Sequence, residues 1–496
     1  MLSRRAIAVG LRKSAQQAML WSAGLNLFRD ALQFAQMLVL VRLLDPAIYG
    51  MAGYATTLIN FLGLISFQNV VAHVVQVRPS EGVDYHQHFT FGVLLNGSLF
   101  VIANLLAVSL RFIPEYAGLQ PILHVLSFTF LLSVPVDLRQ KMLEREHQWA
   151  RLRPLQMAVM AVSVVAGLVM ALAGAGVYAL IVPGLLAGLV FVVDLFFFAR
   201  WRPRWSWNWV GYRDALSFGF NRAGSNALNS GRKLLESTLI SRYFQFASLG
   251  VFGRADSLSN LFCGRVAQQV LGALYPIITR ADPRSQQFQR IAGLVLRSVA
   301  WVIIPIAVLF AMEAHAITTV LYGSKWASVI PLLPLAMAVG ALQGVGSTAY
   351  HLLLANEERR WCLRSDMAAF VVGAGTMIAL IPFGVRPYLM GAVGVNLVIG
   401  VVLTGLLLRT GGVQGRSVWE ALVPPLVASG LAAIAVLAAR QVLPADTHLL
   451  VGLMLTGVVF GVAYVLALRL LYRTAIAELV NYVPGGRHVA KLLVLE

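Results

Sequence analysis

Fourteen segments of this chain are long and apolar enough to cross a lipid bilayer, and this feature restricts its fold more than any other. A helix needs about 20 apolar residues to span the hydrocarbon core. Hydrophobic residues make up 58% of the chain and charged residues 12%, against about 45–50% and about 25% in soluble proteins. We therefore predict an all-α, polytopic membrane protein with spans at approximately 18–41, 51–75, 89–110, 119–138, 154–173, 177–199, 214–240, 248–276, 289–312, 328–353, 365–383, 387–408, 418–439 and 449–471.

The basic residues outside these segments are divided unevenly between alternate loops. With a cytoplasmic N-terminus, 26 lysines and arginines lie on the cytoplasmic side and six on the other. Cytoplasmic loops carry the excess of positive charge in membrane proteins. We therefore expect cytoplasmic N- and C-termini and an even number of spans. This distribution accounts for the net charge of +18 without nucleic acid as a partner.

An internal repeat relates residues 40–65 to residues 240–265 without gaps. The identities include Arg42/Arg242 and Asn60/Asn260, which are not default residues of apolar segments. Six spans separate the two copies, so the repeats are parallel, and parallel repeats place a substrate site between the two halves of a transporter. We predict a six-helix lobe with a basic cytoplasmic tail at 1–200, a second six-helix lobe at 201–412, and two further helices with a cytoplasmic tail at 413–496.

Polar and basic residues recur at helical spacing in predicted spans 1, 7 and 8. At the α-helical period they share one face of each span. Charged side chains at membrane depth are costly unless they face a water-filled cavity or a partner. For any single residue of these stripes, the alternative to facing a cavity is that it makes an interhelical hydrogen bond or lies at the membrane interface. We predict that the stripes line a central cavity in which the substrate contacts Asn26, Arg29, Gln33, Arg222, Asn229, Arg232, Lys233 and Arg265.

The net charge of these polar stripes indicates the charge of the substrate. Basic residues outnumber the neighbouring acids Asp30 and Glu236. Arginine binds phosphate through a two-pronged set of donors, so we expect an anionic, phosphorylated substrate. Asp30, beside Arg29, is the candidate for binding Na⁺ or H⁺, and a salt bridge within the helix is the alternative reading.

The chain lacks the motifs of the common enzyme and cofactor sites. There is no G-x-S-x-G, H-E-x-x-H or Walker-type sequence. Cys263 and Cys362 are the only cysteines, which excludes a disulfide framework and a cysteine-rich metal site. His86 and His88 near Asp84 are better explained as loop residues than as metal ligands. We predict a transporter without catalytic residues, cofactor or metal.

Three motifs carry a resemblance to a known family. The segment L-V-R-L-L-D-P-A-I-Y-G (residues 40–50) resembles A-R-L-L-x-P-x-x-F/Y-G of the polysaccharide-transport branch of the multidrug/oligosaccharidyl-lipid/polysaccharide exporter superfamily. The stretches S-L-G-V-F-G-R-A-D-S-L (248–258) and L-G-A-L-Y-P-I-I-T-R (271–280) resemble its equivalent around span 8. The segment H-L-L-L-A-N-E-E-R-R (351–360) is similar to the ending L-L-x-A-x-G-R, with Asn356-Glu357 where the family prefers glycine.

This resemblance implies a flippase that works by alternating access in the inner membrane. It implies an undecaprenyl-diphosphate-linked oligosaccharide as substrate, for export of O-antigen, capsule or exopolysaccharide, and by position it assigns Arg29 and Arg265 to the diphosphate. A polysaccharide polymerase and a chain-length regulator are possible partners, besides the membrane lipids. A flippase for lipid-linked peptidoglycan precursor, a multidrug exporter of the same superfamily and a membrane polysaccharide polymerase stay open as alternatives.

Overall fold

The computed structural model describes residue 29 and residues 31–75, 82–207, 209–442 and 448–472, and this part of the chain contains helices and no β-strand. By internal packing the chain divides into two units, which meet in the sequence at Leu234 and Leu235. The domain boundaries at 200 and 412 stay predictions. The helices of the first unit are α1 (Ala31–Leu43), α2 (Pro46–Leu62), α3 (Phe67–Val71), α4 (Tyr85–Leu110), α5 (Gln120–Arg145), α6 (Trp149–Leu172) and α7 (Tyr178–Val193).

The long helix α8 (Trp209–Ser259) begins in the first unit and ends in the second. The other helices of the second unit are α9 (Arg265–Ile278), α10 (Gln286–Met312), α11 (Ala314–Tyr322), α12 (Leu333–Ala355), α13 (Arg359–Leu380), α14 (Val385–Arg409), α15 (Gly415–Val442) and α16 (Leu449–Leu471).

Ten helical segments in the described ranges are long and apolar enough to cross a membrane, and each overlaps a predicted span. This confirms a polytopic all-α membrane protein. The first predicted span lies largely outside the described residues, and its described part is the shorter helix α1. Predicted spans 7 and 8, which contain two of the three polar stripes, lie in α8 and α9. Predicted span 10 lies in α12. The total of fourteen spans stays a prediction.

The second predicted span is interrupted at Ser66, which has extended backbone angles (φ −77°, ψ 164°). The fully buried Asn96 of α4 accepts a hydrogen bond from the Phe67 N–H at 2.8 Å, at the start of α3. Its amide donates to the Phe130 carbonyl at 3.0 Å and to Ser133 Oγ at 2.8 Å. Since a bilayer offers no water to an exposed N–H group, this buried side chain makes the break possible.

Small residues bring α12 into close contact with the last turn of α8. Ser259 Oγ donates to the Ala336 carbonyl at 2.7 Å. A Cβ atom at Gly340 would lie 2.0 Å from Ser259 Oγ, and one at Gly344 would lie 2.8 Å from Cδ1 of Ile303. Packing through small residues is the usual way in which membrane helices approach closely.

The repeat found at an offset of 200 residues is visible in the backbone. In the first copy the helix is interrupted at Asp45 (φ −86°, ψ 157°), between α1 and α2. In the second copy α8 is interrupted at Gln245 (φ 63°, ψ 174°), the matching position. Both breaks follow the paired arginines Arg42 and Arg242 by three residues. The two copies are thus interrupted at the same position, although the φ angles of the two residues differ in sign.

A second pair of loops repeats the same conformation, between α5 and α6 and between α12 and α13. His147 (φ 54°) and Glu357 (φ 66°) occupy the left-handed region. In each loop the next N–H donates to a carbonyl five residues earlier, at 2.9 Å after His147 and at 3.0 Å after Glu357. This is the usual helix ending at which glycine is favoured. Such an ending suits the glycine of the family motif that the segment 351–360 resembles.

Candidate functional site

The polar stripe of span 7 lies on an uninterrupted part of α8, because Gln245 is the one residue of this helix with non-helical angles. Asn229 and Lys233 are exposed, and so is Asn226 one turn earlier. Arg232 is half-buried and has no carboxylate partner within the described ranges. The spacing of three and four residues places the two asparagines and Lys233 on one face. The side chain of Arg222, which continues this stripe, lies outside the described residues.

Span 1 contributes the exposed side chains of Arg29 and Gln33. One turn later, Gln36 donates to the Ser163 carbonyl of α6 at 3.4 Å. Gly167 of α6 leaves room for this contact, since a Cβ atom there would lie 2.6 Å from Gln36 Nε2. The stripe is therefore exposed at the N-terminal end of α1 and becomes a packing contact further along. Asn26 and Asp30 lie outside the described residues.

Arg265, the candidate in the second unit, is exposed and directly follows a π-helical segment at Asn260–Gly264. Gln268 and Gln269 on the next turn are also exposed. A π turn bonds residue i to i+5, which rotates the following helix by about 100° relative to a continuous α-helix. The orientation of Arg265 relative to Arg254 therefore depends on this segment, and an uninterrupted helical period does not describe it.

Some charged residues in the predicted spans form structural ion pairs. The most buried of these pairs is not among the site residues predicted from the sequence. Asp194 opens a second π-helical segment after α7 and accepts from Arg139 Nε at 2.6 Å and from Arg151 Nη2 at 2.7 Å. Arg139 and Asp194 are 5% and 4% exposed. The signal in the sequence is the acid at the end of an otherwise apolar segment.

Arg297, a basic residue inside the predicted span 289–312, is also a structural residue. It is 4% exposed and pairs with Glu420 of α15. The Glu420 carbonyl accepts a hydrogen bond from Trp301 Nε1 at 3.0 Å, and its carboxylate also pairs with Arg416 at 2.8 Å. This network joins α10 to α15 and gives Arg297 a role in packing.

Asp137 of α5 is a further residue that the sequence analysis missed. Its Oδ2 atom is buried and has no hydrogen-bond partner in the described part of the chain. An ionisable residue inside a membrane span is a candidate functional residue. We therefore add it to Asp30 as a candidate for ion coupling. The signal in the sequence is an aspartate at the end of the predicted span 119–138.

The interpretation of His86 and His88 as loop residues is wrong, because both lie in the first turn of α4, and Asp84 caps this helix. Asp84 Oδ1 accepts from the N–H groups of His86 at 2.9 Å and Gln87 at 3.2 Å, and Oδ2 accepts from Ser206 Oγ at 2.9 Å. Burial by itself would raise the pKa of this carboxyl, but the hydrogen bonds hold the pKa below its ordinary value. Among the described residues no three His, Cys, Asp or Glu side chains are grouped to hold a metal ion.

The family of the chain follows from a comparison with known proteins. A family described as "Polysaccharide biosynthesis protein" matches residues 39–331, more than half of the sequence. The chain belongs to this family. The match covers the repeated motifs, the polar part of α8 and Arg265, so the candidate residues from α8 onward lie within the family's own region.

Two curated proteins are similar to about two thirds of this chain, and the chain covers slightly less than two thirds of the first of them. The succinoglycan biosynthesis transport protein ExoT of Rhizobium meliloti (strain 1021) is 25% identical over 329 residues, which are 65% of this chain and 65% of ExoT. The lipopolysaccharide biosynthesis protein WzxC of Escherichia coli (strain K12) is 21% identical over 358 residues, 70% of this chain and 71% of WzxC.

Two solved structures share the fold of this family member. The lipid II flippase MurJ, in an inward closed conformation, superposes with a TM-score of 0.71 and 12% identity over 91% of this chain and 98% of MurJ. An inward-facing MATE family transporter of the MOP superfamily superposes with a TM-score of 0.57 and 15% identity over 77% of this chain and 94% of the transporter. Together with the family match and the curated relatives, these structures confirm the resemblance to the exporter superfamily. By name, ExoT is a transport protein and MurJ is a flippase, which agrees with the prediction of a transporter.

Proposed function

We propose that this protein is a flippase that moves an undecaprenyl-diphosphate-linked oligosaccharide across the inner membrane by alternating access, for export of O-antigen, capsule or exopolysaccharide. The observation that carries the proposal is the excess of basic side chains on predicted spans 1, 7 and 8, in a chain that is similar to a succinoglycan biosynthesis transport protein. Arg29, Lys233 and Arg265 are exposed, and Arg232 is half-buried without an acidic partner among the described residues.

These basic residues suit a diphosphate better than a cation. Arginine donates two parallel hydrogen bonds to phosphate oxygens, and lysine adds a compact positive charge. Amides such as Asn229 and Gln33 supply both donors and acceptors for saccharide hydroxyl groups. In this proposal Arg29 and Arg265 hold the diphosphate, and Arg222 and Asn26 extend the polar stripes. Asp30 couples transport to Na⁺ or H⁺.

Transport in proteoliposomes tests this function directly. Purified protein is reconstituted with a fluorescent, polyprenyl-diphosphate-linked oligosaccharide, and dithionite reports the label that becomes accessible from outside. We expect the protein to expose the label that faces the lumen, whereas a polyprenyl-monophosphate sugar is moved much more slowly. Faster movement of lipid-linked peptidoglycan precursor would support that alternative, and transport of a cationic drug in place of the lipid would contradict the proposal. Association with a polymerase and a chain-length regulator is a separate part of the proposal, tested by co-purification.

The proposed orientation places both termini in the cytoplasm and follows from the uneven distribution of basic residues. Single cysteines replacing Lys325, Arg204 and Arg360 test it, because the native Cys263 and Cys362 are buried. We expect a membrane-impermeant maleimide to label K325C in intact cells, and R204C and R360C only after permeabilisation. Labelling in the reverse pattern would contradict the orientation.

A further inference from the structure

A basic cavity lies at the beginning of α13, outside the residues proposed to bind the transported lipid. It has a volume of about 940 Å³. Its wall includes the loop between α12 and α13, the first turns of α13 and the segment before α10. Among the residues that line it are Arg284, Asn356, Arg359, Arg360, Trp361 and Arg364.

Four arginines and two glutamates line the cavity, so the described residues leave it with a net positive charge. Arg284 pairs with Glu358 at 2.8 Å, and Arg364 lies over the ring of Trp361 at 5.1 Å. Arg359 and Arg360 are exposed and have no carboxylate partner in the described ranges, although Glu357 also lines the cavity. The charge is therefore available to an anionic ligand.

Hydrogen bonds across the loop fix the shape of this cavity. Asn356, 1% exposed, accepts from the Arg284 N–H at 3.1 Å and donates to Thr410 Oγ1 of α14 at 3.2 Å. These contacts join the segment before α10, the end of α12 and the end of α14. A binding site on such a frame loses little entropy when it is occupied.

An apolar face of α13 continues directly from the basic residues. Met367, Val371 and Ile378 are 57%, 66% and 60% exposed. At 100° per residue they lie on the same face as Arg360 and Arg364. A ligand with a phosphate group and long alkyl chains can therefore use both parts, whereas a free anion uses only the arginines.

We propose that this cavity binds the headgroup of an anionic phospholipid, such as phosphatidylglycerol, with its acyl chains along the exposed face of α13. Basic pockets between membrane helices are suited to anionic headgroups, and Trp361 lies at the helix end, where tryptophan favours the membrane interface. This lipid is a bound component of the membrane and is distinct from the transported substrate. The proposal stands independently of the transport function.

Lipid titration of the purified full-length protein, followed by native mass spectrometry, tests this site. The probes are phosphatidylglycerol, phosphatidylcholine and inorganic phosphate at equal ionic strength. We expect selective retention of phosphatidylglycerol, and a loss of its affinity of about tenfold or more in R360Q/R364Q. The control is R153Q/R202Q, which removes the same charge from exposed arginines of the first unit and leaves this cavity unchanged.

The outcomes separate the lipid site from its alternatives. Equal retention of phosphatidylglycerol and phosphatidylcholine, or unchanged retention in R360Q/R364Q, would overturn the proposal. The same loss in the control would show a general surface effect and would also overturn it. Displacement of the lipid by millimolar inorganic phosphate would assign the cavity to a free anion instead.

Discussion

Replacing Asp194 with alanine is expected to lower the stability of the protein by about 3–5 kcal/mol, because the substitution leaves buried positive charge without its partner. Arg139, 5% exposed, would lose the carboxylate oxygen now 2.6 Å from its Nε atom. Arg151 would lose the same partner, but its side chain is 40% exposed and can turn toward water. The measurement is the thermal unfolding midpoint in detergent, together with the amount of protein in the membrane.

Glu358→Ala is the matched control for this prediction. It breaks an ion pair of similar length, 2.8 Å, but the side chain of its partner Arg284 is 65% exposed. Exposed pairs contribute about 0–1 kcal/mol, so the control should unfold nearly as the unchanged protein does. An Asp194→Ala protein with the midpoint and membrane level of the control would contradict the structural role of the pair.

Helical periodicity and internal repetition can be read directly from the sequence. They predicted the helices and the repeat that relates the two copies. The apolar segments gave the helices, and the match of Arg42 with Arg242 located two equivalent interruptions, at Asp45 and Gln245. The repeat could be recognised because both copies interrupt the helix at the same position, three residues after the paired arginine.

The features that the sequence left unresolved depend on contacts between distant residues. Asn96 stabilises a break 30 residues earlier in the chain, next to Ser66. The residues around Ser66 do not identify Asn96 as the hydrogen-bond partner. Arg297 pairs with Glu420 of α15, which is 123 residues away in the sequence. The π-helical segment before Arg265 changes the helical phase, so a constant rotation of 100° per residue does not hold across it.

The second large effect expected is loss of export when the basic residues proposed to bind diphosphate are removed. Alanine at Arg29, Arg222 or Arg265 removes charge-assisted hydrogen bonds of about 1.5–3 kcal/mol each, equivalent to about 10–150-fold in affinity. Lysine should restore part of the activity, because it retains the charge but not the two-pronged geometry. The protein level should be preserved, since Arg29 and Arg265 are exposed.

Two other arginines provide controls that separate binding from folding. Arg202 is exposed in the loop before α8 and belongs to none of the three polar stripes, so R202A should retain both export and protein level. Arg297 is buried against Glu420, so R297A should lose protein from the membrane, and export should decline in proportion.

The most direct test of the cationic-site account is the amount of surface polysaccharide per copy of inserted protein, in a deletion strain complemented by each variant. The account predicts that the alanine variants of Arg29, Arg222 and Arg265 insert normally and export little, and that their lysine variants export an intermediate amount. Full export by all three alanine variants at normal protein level would contradict the account, and a loss of protein equal to the loss of export would assign these arginines to the structure of the protein.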